Sequence, residues 1–137
     1  MKVKDAMHRG VHCLDDDTPL PEVARRMRDA DVGAIPISAA GELVGIVTDR
    51  DIACRGVLDG ADVGEMTARD VMTRNPISCV ADDDLGDAVR LMESRRIRRL
   101  PVMADGSLMG MLSLGDVSSR ADDATSAEVL RAVATHH

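Results

Sequence analysis

Two four-residue segments of the sequence combine a hydroxyl group with a carboxylate three positions later. The first is Thr48-Asp49-Arg50-Asp51 and the second is Ser113-Leu114-Gly115-Asp116. Each follows an apolar run that predicts a strand, so each is expected to lie where a strand turns into a helix. There the hydroxyl can cap the helix, or the pair can contact a ligand whose anionic group meets the free N–H groups of the first turn. An ordinary helix cap and a binding site are both open interpretations of each segment.

The histidines and cysteines of the sequence do not form a known metal-binding or catalytic motif. His8 and His12 are four positions apart, but Gly10 and a strand predicted over 11–14 break the helical spacing that would bring them together. The three cysteines are odd in number and contain no C-x-x-C, which argues against a disulfide framework or a zinc knuckle. No Ser-His-Asp set, P-loop or G-x-G-x-x-G is present. The sequence therefore predicts no enzyme, no metal site and no required cofactor.

Composition excludes several classes of partner. The chain has 137 residues, of which 45% are hydrophobic and 30% charged, which predicts one or two small folded domains. It has no aromatic residue to stack on a base and a net charge of −7, so a nucleic-acid partner is not expected. No apolar run reaches the roughly 18–20 residues that span a bilayer, and the first residues form no secretory signal. We expect a cytoplasmic protein with no membrane partner.

An internal repeat organises the sequence. Shifting the chain by 65 positions places residues 3–55 on 68–120 without a gap and gives 14 identities in 53 positions. Each repeat predicts an amphipathic helix after an acidic cluster, two strands around a tight turn, and a second helix. The boundaries are 1–60 for the first domain and 66–122 for the second, with a C-terminal helix over 123–137. Pro36 and Pro101 are expected at matching sheet edges, because proline has no N–H to donate to a neighbouring strand.

The order of the repeated residues resembles the CBS domain, named for cystathionine β-synthase. The resemblance rests on Gly33-Ala34-Ile35-Pro36-Ile37 and on the run from Gly45 to Asp51, with the matching runs 98–102 and 110–116 in the second repeat. Two such domains in tandem resemble a Bateman module, and the small size is similar to stand-alone bacterial CBS-pair proteins. The resemblance covers about 120 residues, nearly the whole chain.

The resemblance implies both a fold and a function. The fold is α/β, with two β-α-β-β-α units packed sheet to sheet around a pseudo-twofold axis and two clefts between them. The function is a regulatory sensor that binds adenosine-containing ligands: AMP, ADP, ATP, and in some members S-adenosylmethionine or NAD. Members of the family often form homodimers and control another protein, here unidentified. The alternative is a protein-interaction module whose clefts are vestigial.

The resemblance also assigns roles to residues. The motif carboxylate, here Asp51 or Asp116, would accept both ribose hydroxyls, and the hydroxyl of Thr48 or Ser113 would contact ribose or phosphate. Backbone groups would read the adenine, since aromatic rings are absent. The segments that would do so are His12, Cys13, Gly33, Ala34, Ile35 and Pro36 in the first repeat, and Ile77, Ser78, Leu100 and Pro101, with Arg99, in the second.

Cations for the phosphate groups come from two places. Arg95, Arg96, Arg98 and Arg99 form a basic cluster in an acidic chain. Arg95 and Arg96 fit a solvated helix end, whereas at least one of Arg98 and Arg99 is expected to contact phosphate. Arg50 is a second candidate, and with it the first repeat is expected to form the tighter site. The arginines of the second repeat leave that ranking open.

Overall fold

The computed structural model describes residues 1–58 and 62–120, so the helix expected over 123–137 lies outside the described residues. No helix in this part of the chain is long and apolar enough to cross a bilayer. The helices are α1 (Val3–Ala6), α2 (Leu20–Ala30), α3 (Asp49–Asp51), α4 (Ala68–Val71), α5 (Leu85–Arg95) and α6 (Leu114–Arg120), with a π-helix at Ile52–Val57 and a 3-10 helix at Val63–Glu65. The strands are β1 (His8–Arg9), β2 (Leu14–Asp15), β3 (Ala34–Ala39), β4 (Glu42–Thr48), β5 (Thr73–Arg74), β6 (Cys79–Val80), β7 (Arg99–Ala104) and β8 (Ser107–Ser113).

The chain forms two compact units, each with its own four-stranded sheet. The central unit is His12–Pro76, and its strands follow the order β2-β3-β4-β5. The terminal unit combines Met1–Val11 with the chain from Ile77 onward, and its order is β1-β8-β7-β6. Both sheets mix one parallel pair with two antiparallel pairs. The mixed α/β fold predicted from the sequence is confirmed.

The short helix at the start of each repeat belongs to the unit that the other repeat forms: α1 lies in the terminal unit and α4 lies in the central unit. In the terminal unit, the N–H groups of Val3 and Lys4 donate to Asp83 and Ala81 carbonyls at 2.9 Å each. In the central unit, the N–H group of Ala68, the repeat counterpart of Val3, donates to the Thr18 carbonyl at 2.9 Å. The boundaries 1–60 and 66–122 therefore describe the sequence repeats, whereas residues 1–11 and 66–76 each join the sheet of the neighbouring repeat.

The long helix of each unit buries one face against the sheet. The sequence spaces Leu20, Val23, Ala24 and Met27 at i, i+3, i+4 and i+7, which predicts one apolar helix face; α2 buries all of them except Ala24, which is exposed. Helix α5 buries Leu85, Ala88, Val89 and Met92. The acidic cluster that precedes each helix in the sequence can cap its first turn, but only α5 is capped in this way, where Asp84 accepts a hydrogen bond from the Asp87 N–H. Pro19 occupies the N-cap position of α2, so the carboxylates before it make no capping bond there.

The prolines lie inside their sheets, which corrects the expectation of edge strands. Strands β3 and β7, which hold Pro36 and Pro101, each have a neighbour on both sides. The parallel neighbour is short, however, and pairs only from Ile37 or Val102, one residue after each proline. A proline offers no N–H to that neighbour, so the parallel ladder stops beside it.

Two glycines allow a short edge strand of each unit, β1 or β5, to approach its hairpin closely. A Cβ placed on Gly110 of β8 would collide with the backbone carbonyl of His8 in β1. A Cβ on Gly45 of β4 would meet the flexible side chain of Met72 most closely, at 2.5 Å from its sulfur, and the Thr73 carbonyl less closely, at 3.0 Å. Backbone yields less readily than a thioether chain, because moving it disrupts strand pairing.

We expect Gly110→Ala to lower the free energy of unfolding by about 1–3 kcal/mol, the range for overpacking a filled site. Gly45→Ala should cost less, since Met72 can change rotamer. Gly115→Ala is the control, because a Cβ there meets only the Ser113 hydroxyl at 3.7 Å. Urea unfolding of the three variants measures the ranking, and equal losses for Gly110 and Gly115 would contradict it.

Candidate functional site

The two hydroxyl–carboxylate pairs are reciprocal helix caps. In the central unit the Asp51 N–H donates to Thr48 Oγ1 at 3.1 Å, and the Thr48 N–H donates to Asp51 Oδ2 at 2.9 Å. In the terminal unit the Asp116 N–H donates to Ser113 Oγ at 3.0 Å, and the Ser113 N–H donates to Asp116 Oδ2 at 3.3 Å. The capping interpretation is therefore confirmed, and all four side chains remain partly exposed.

Capping leaves acceptor capacity on both carboxylates. Each uses Oδ2 for the cap, and Oδ1 of Asp51 and of Asp116 accepts no hydrogen bond from residues 1–58 or 62–119, the part of the chain whose side chains the structure describes. A carboxylate offers about four lone-pair sites. The helix cap and a ligand contact are thus compatible, since the same backbone bonds that fix the carboxylate leave its second oxygen available.

Strand alternation places several predicted residues on one face of each sheet. In the central unit the side chains of Ile35, Ile37 and Val47 enter the hydrophobic core. Side chains alternate along a strand, so Ala34, Pro36 and Thr48 share the opposite face. We call this the site face; in the terminal unit it carries Arg99, Pro101 and Ser113, because Leu100, Val102 and Leu112 enter the core.

Strand pairing and a backbone hydrogen bond hold the start of β3 next to the start of α3, and the start of β7 next to the start of α6. Ala34 is the register partner of Thr48, and Arg99 is the register partner of Ser113. The Asp49 N–H donates to the Gly33 carbonyl at 3.0 Å, and the Leu114 N–H donates to the Arg98 carbonyl at 3.0 Å. The segments predicted to read adenine therefore lie beside the segments predicted to hold ribose.

Ile35 and Leu100 contribute to this region only through their backbones. Their side chains are 4% and 0% exposed and belong to the cores of their own units. The predicted reading of the base by backbone groups is compatible with this placement. Contact between a ligand and the side chain of Ile35 or Leu100 is incompatible with this placement, because both side chains lie in the core.

The segments before β2 and β6 are less regular than predicted. The strand expected over 11–14, and its counterpart in the repeat over 77–80, begin only at Leu14 and Cys79, because the parallel ladder stops at the prolines. His12 and Ser78 are exposed, Cys13 is partly exposed, and Ile77 packs on the terminal core. Continuing the register backwards by one residue sets Cys13 beside Pro36 and Ser78 beside Pro101. All the predicted site residues of each repeat from 12 or 77 onward thus lie within one unit.

The arginines separate into three environments. Arg95 and Arg96 end α5, and Arg96 adopts the left-handed conformation at φ 55°, as the helix-end interpretation requires. Arg98 is exposed just before β7, and Arg50 is exposed on α3. Arg99 alone among them lies on a site face.

Comparison with known proteins identifies this arrangement. The sequence model of the CBS domain matches residues 3–55 and 68–123, the two repeats found above. The chain belongs to the CBS-domain family. Because it carries two such domains, it is a CBS-pair protein, a regulatory module.

Relatives and solved structures support the same family. The chain is 38% identical over 116 residues to the CBS domain-containing protein YhcV of Bacillus subtilis (strain 168), covering 85% of this chain and 82% of that protein. It is 28% identical over 131 residues to Hypoxic response protein 1 of Mycobacterium tuberculosis, covering 95% and 92%. The crystal structure of Hypoxic Response Protein I with two coordinated zinc ions superposes with a TM-score of 0.80 at 29% identity, covering 89% of this chain and 100% of that chain. The structure of CBSX2 in complex with AMP gives 0.73 at 27% identity, covering 86% and 93%.

Sequence reasoning missed two residues on the site faces of these CBS domains. Ile46 and Met111 are the register partners of Pro36 and Pro101 and are 8% and 9% exposed. Each precedes its capping hydroxyl by two positions and therefore shares its face. The signal in the sequence was the apolar residue two positions before Thr48 and Ser113.

The cysteines of the CBS pair are all free thiols with different surroundings. Cys79 lies in the terminal core, where burial and then the nearby Asp83 charge raise its pKa to about 12. Burial, and then Asp15, also raise the pKa of the partly exposed Cys13. Cys54 is exposed on the π-helix. In the described part of the chain, no three His, Cys, Asp or Glu residues gather as metal ligands.

We expect iodoacetamide at pH 8 to modify Cys54 fastest, Cys13 more slowly and Cys79 only on unfolding. Thiolate is the reactive form, so a pKa raised by burial lowers the reactive fraction at this pH. Millimolar AMP should slow Cys13 alkylation several-fold and leave Cys54 unchanged as the internal control. Mass spectrometry of peptides measures both rates, and equal effects of AMP on the two thiols would contradict a site at Cys13.

Proposed function

We propose that this CBS-pair protein is a sensor that binds adenosine-containing ligands through the site face of each unit. The observation that carries the proposal is the helix cap that occurs in both units. In each cap a backbone N–H holds one carboxylate oxygen, and the other oxygen is left to accept a further hydrogen bond. In each unit the capping hydroxyl residue is also the register partner of the first residue of the neighbouring strand. The AMP complex of the related CBSX2 structure supports this class of ligand.

Each part of the site has a chemical role in this proposal. The vacant acceptor of Asp51 or Asp116 takes ribose hydroxyls, and the hydroxyl of Thr48 or Ser113 contacts ribose or phosphate. The adenine lies against aliphatic surface such as Pro36 with Ile46. Its polar edge meets backbone groups of residues 12–13 and 33–36, or 77–78 and 99–101. The ligand is regulatory and no further cofactor takes part.

The panel that tests this function is AMP, ADP, ATP, NAD and S-adenosylmethionine, each at millimolar concentration in a thermal melt. A ligand that binds the folded state raises Tm by mass action, by about 2.7 kcal/mol of stability at a hundredfold excess over Kd. A shift with at least one ligand is expected. No shift with any of them would favour the alternative, a protein-interaction module with vestigial sites, and turnover of ATP would favour an enzyme.

A homodimer is part of the proposal. Val57 and Leu58, at the end of the π-helix, are 61% and 76% exposed, and Val80 is 50% exposed. Apolar surface of this kind is stabilised when it is covered by another copy. We expect light scattering to give about twice the 14.6 kDa chain mass. A mass of one chain up to high concentration would contradict the dimer without affecting the ligand proposal. The regulated partner is a protein that responds to the ligand-bound form.

A further inference from the structure

The helix that follows Asp51 is wound differently from its counterpart in the other repeat. In the central unit a π-helix over Ile52–Val57 follows the three residues of α3, whereas the counterpart positions 117–120 of the terminal unit continue the regular helix α6. In the π-helix the Leu58 N–H donates to the Ala53 carbonyl, five residues earlier, at 3.3 Å. Turns of this width are rare and are frequent at functional sites. The contacts that hold the wider turn therefore bear on the site at Asp51.

Arg55 ties the π-helix to the end of α4. Its Nη1 group donates to the carbonyls of Val71 and Met72 at 3.2 Å each. The last carbonyls of a helix lack partners within the helix, and an arginine side chain can satisfy them. Gly56, the next residue, is buried, and a Cβ there would lie 3.3 Å from Leu20 Cδ2. The π-helix is thus held by hydrogen bonds to α4 and by close packing on α2.

The contact with α4 also decides where the positive charge of Arg55 lies. Asp51 and Arg55 are four positions apart with the acidic residue first, a spacing that favours an ion pair along a helix. Among the described residues these two side chains form no ion pair, and the guanidinium group donates to the carbonyls of α4 instead. Oδ1 of Asp51 consequently stays available, as the proposed ribose contact requires.

A closed circuit of contacts joins Arg55 to the cap. The carbonyls that Arg55 holds come directly before β5, and β5 pairs with β4, the strand that ends at Thr48. The Thr48 N–H in turn holds Oδ2 of Asp51. The carboxylate of Asp51 is therefore fixed from two directions, by its own cap at the start of α3 and by Arg55 one turn later.

We propose that Arg55 is a positioning residue for the ligand site of the central unit, here called the central site; the corresponding site of the terminal unit is the terminal site. By anchoring the π-helix on α4, Arg55 aims the Asp51 carboxylate at the ribose and keeps its own guanidinium group away from that carboxylate. Arg55 itself contacts no ligand. This inference rests on the proposed function and adds to it a residue outside the predicted site.

Calorimetry in an Asp116→Ala protein, which keeps the central site, tests this role. Adding Arg55→Ala should weaken AMP binding by about three- to tenfold, as expected for one coupled contact. Arg55→Met, which keeps the aliphatic stem and removes the donors, should give the same loss and replaces the alanine variant if that one does not fold. Arg69→Ala is the control and should change nothing, because Arg69 is exposed on α4 and its ion pair with Asp16 at 3.8 Å is a surface contact.

Two comparisons separate the positioning of Asp51 from a general loss of structure. A dideoxy analogue of AMP lacks both ribose hydroxyls, so Arg55→Ala should weaken its binding by less than about twofold. In a protein that also carries Asp51→Ala, Arg55→Ala should not weaken AMP binding further, since coupled residues are not additive. No loss of AMP affinity in Arg55→Ala, equal losses for the two nucleotides, or additive losses for the two substitutions would overturn the inference while leaving the proposed function intact. Absence of binding by any ligand in the unmodified protein would instead overturn the proposed function.

Discussion

Asp51→Ala is expected to weaken ligand binding at the central site by roughly tenfold or more, and Asp116→Ala to do the same at the terminal site. The substitution removes the free Oδ1 that we assign to the ribose, and a charge-assisted hydrogen bond contributes about 1.5–3 kcal/mol. Each variant should lose one binding event and keep the other. Calorimetry with AMP resolves the two events.

The chain supplies a matched control for the loss of the helix cap. In α4 the Thr67 N–H donates to Asp70 Oδ2 at 2.8 Å, the same N–H to carboxylate hydrogen bond that the Thr48 N–H makes with Asp51, and Ala68 and Val71 of this helix lie in the core and not on the site face. Asp70→Ala should therefore lower stability by about 1 kcal/mol, as Asp51→Ala does, without changing affinity. If Asp70→Ala weakened AMP binding as much as Asp51→Ala, the ribose role of Asp51 would be wrong.

Val3→Asp is expected to unfold the terminal unit and to spare the central one. Val3 is fully buried in the terminal core with Ala6 and Met7, and an unpaired charge there costs several kcal/mol, comparable to the whole stability of a small domain. Hydrogen exchange should show lost protection in β7 and β8, with a smaller change in β3 and β4.

The reciprocal variant is Ala68→Asp, at the counterpart position in the central core. It should expose β3 and β4 more than β7 and β8. Lys2→Ala is the control, because Lys2 is exposed and its ion pair with Asp82 at 3.5 Å is a surface contact. Loss of protection in β3 and β4 on Val3→Asp would mean that residues 1–11 belong with their own repeat.

The repeat predicted most of the local structure. The spacing of Leu20, Val23 and Met27 predicted α2, and the turn at Asp105-Gly106 appears as two positive φ angles, 52° and 77°, as a type I′ turn requires. The hydroxyl and carboxylate of each motif were expected at the start of a helix, where capping was one of two interpretations, and the structure shows that they cap it. These features depend on neighbouring residues, so the sequence alone contains their cause.

Features that depend on distant partners were harder to predict. The exchange of residues 1–11 and 66–76 between repeats follows from pairing across the chain, such as His8 with Met111, which no local pattern contains. The edge position expected for Pro36 was wrong because β3 lies between β2 and β4, an arrangement of strands that no local pattern contains. Ile35 and Leu100 were assigned to the ligand through their backbone groups, and only the register showed that their side chains face the core.

Isothermal titration of AMP into the purified full chain tests the central claim most directly. AMP has about 23 heavy atoms, and at roughly 0.3 kcal/mol each the binding free energy is about 7 kcal/mol, a Kd on the order of 10 µM. We predict saturable heat in this range, and we expect Asp51→Ala and Asp116→Ala together to weaken the binding by roughly tenfold or more at both sites. No heat with AMP, ADP, ATP, NAD or S-adenosylmethionine at millimolar concentration, from protein that melts cooperatively, would contradict the account.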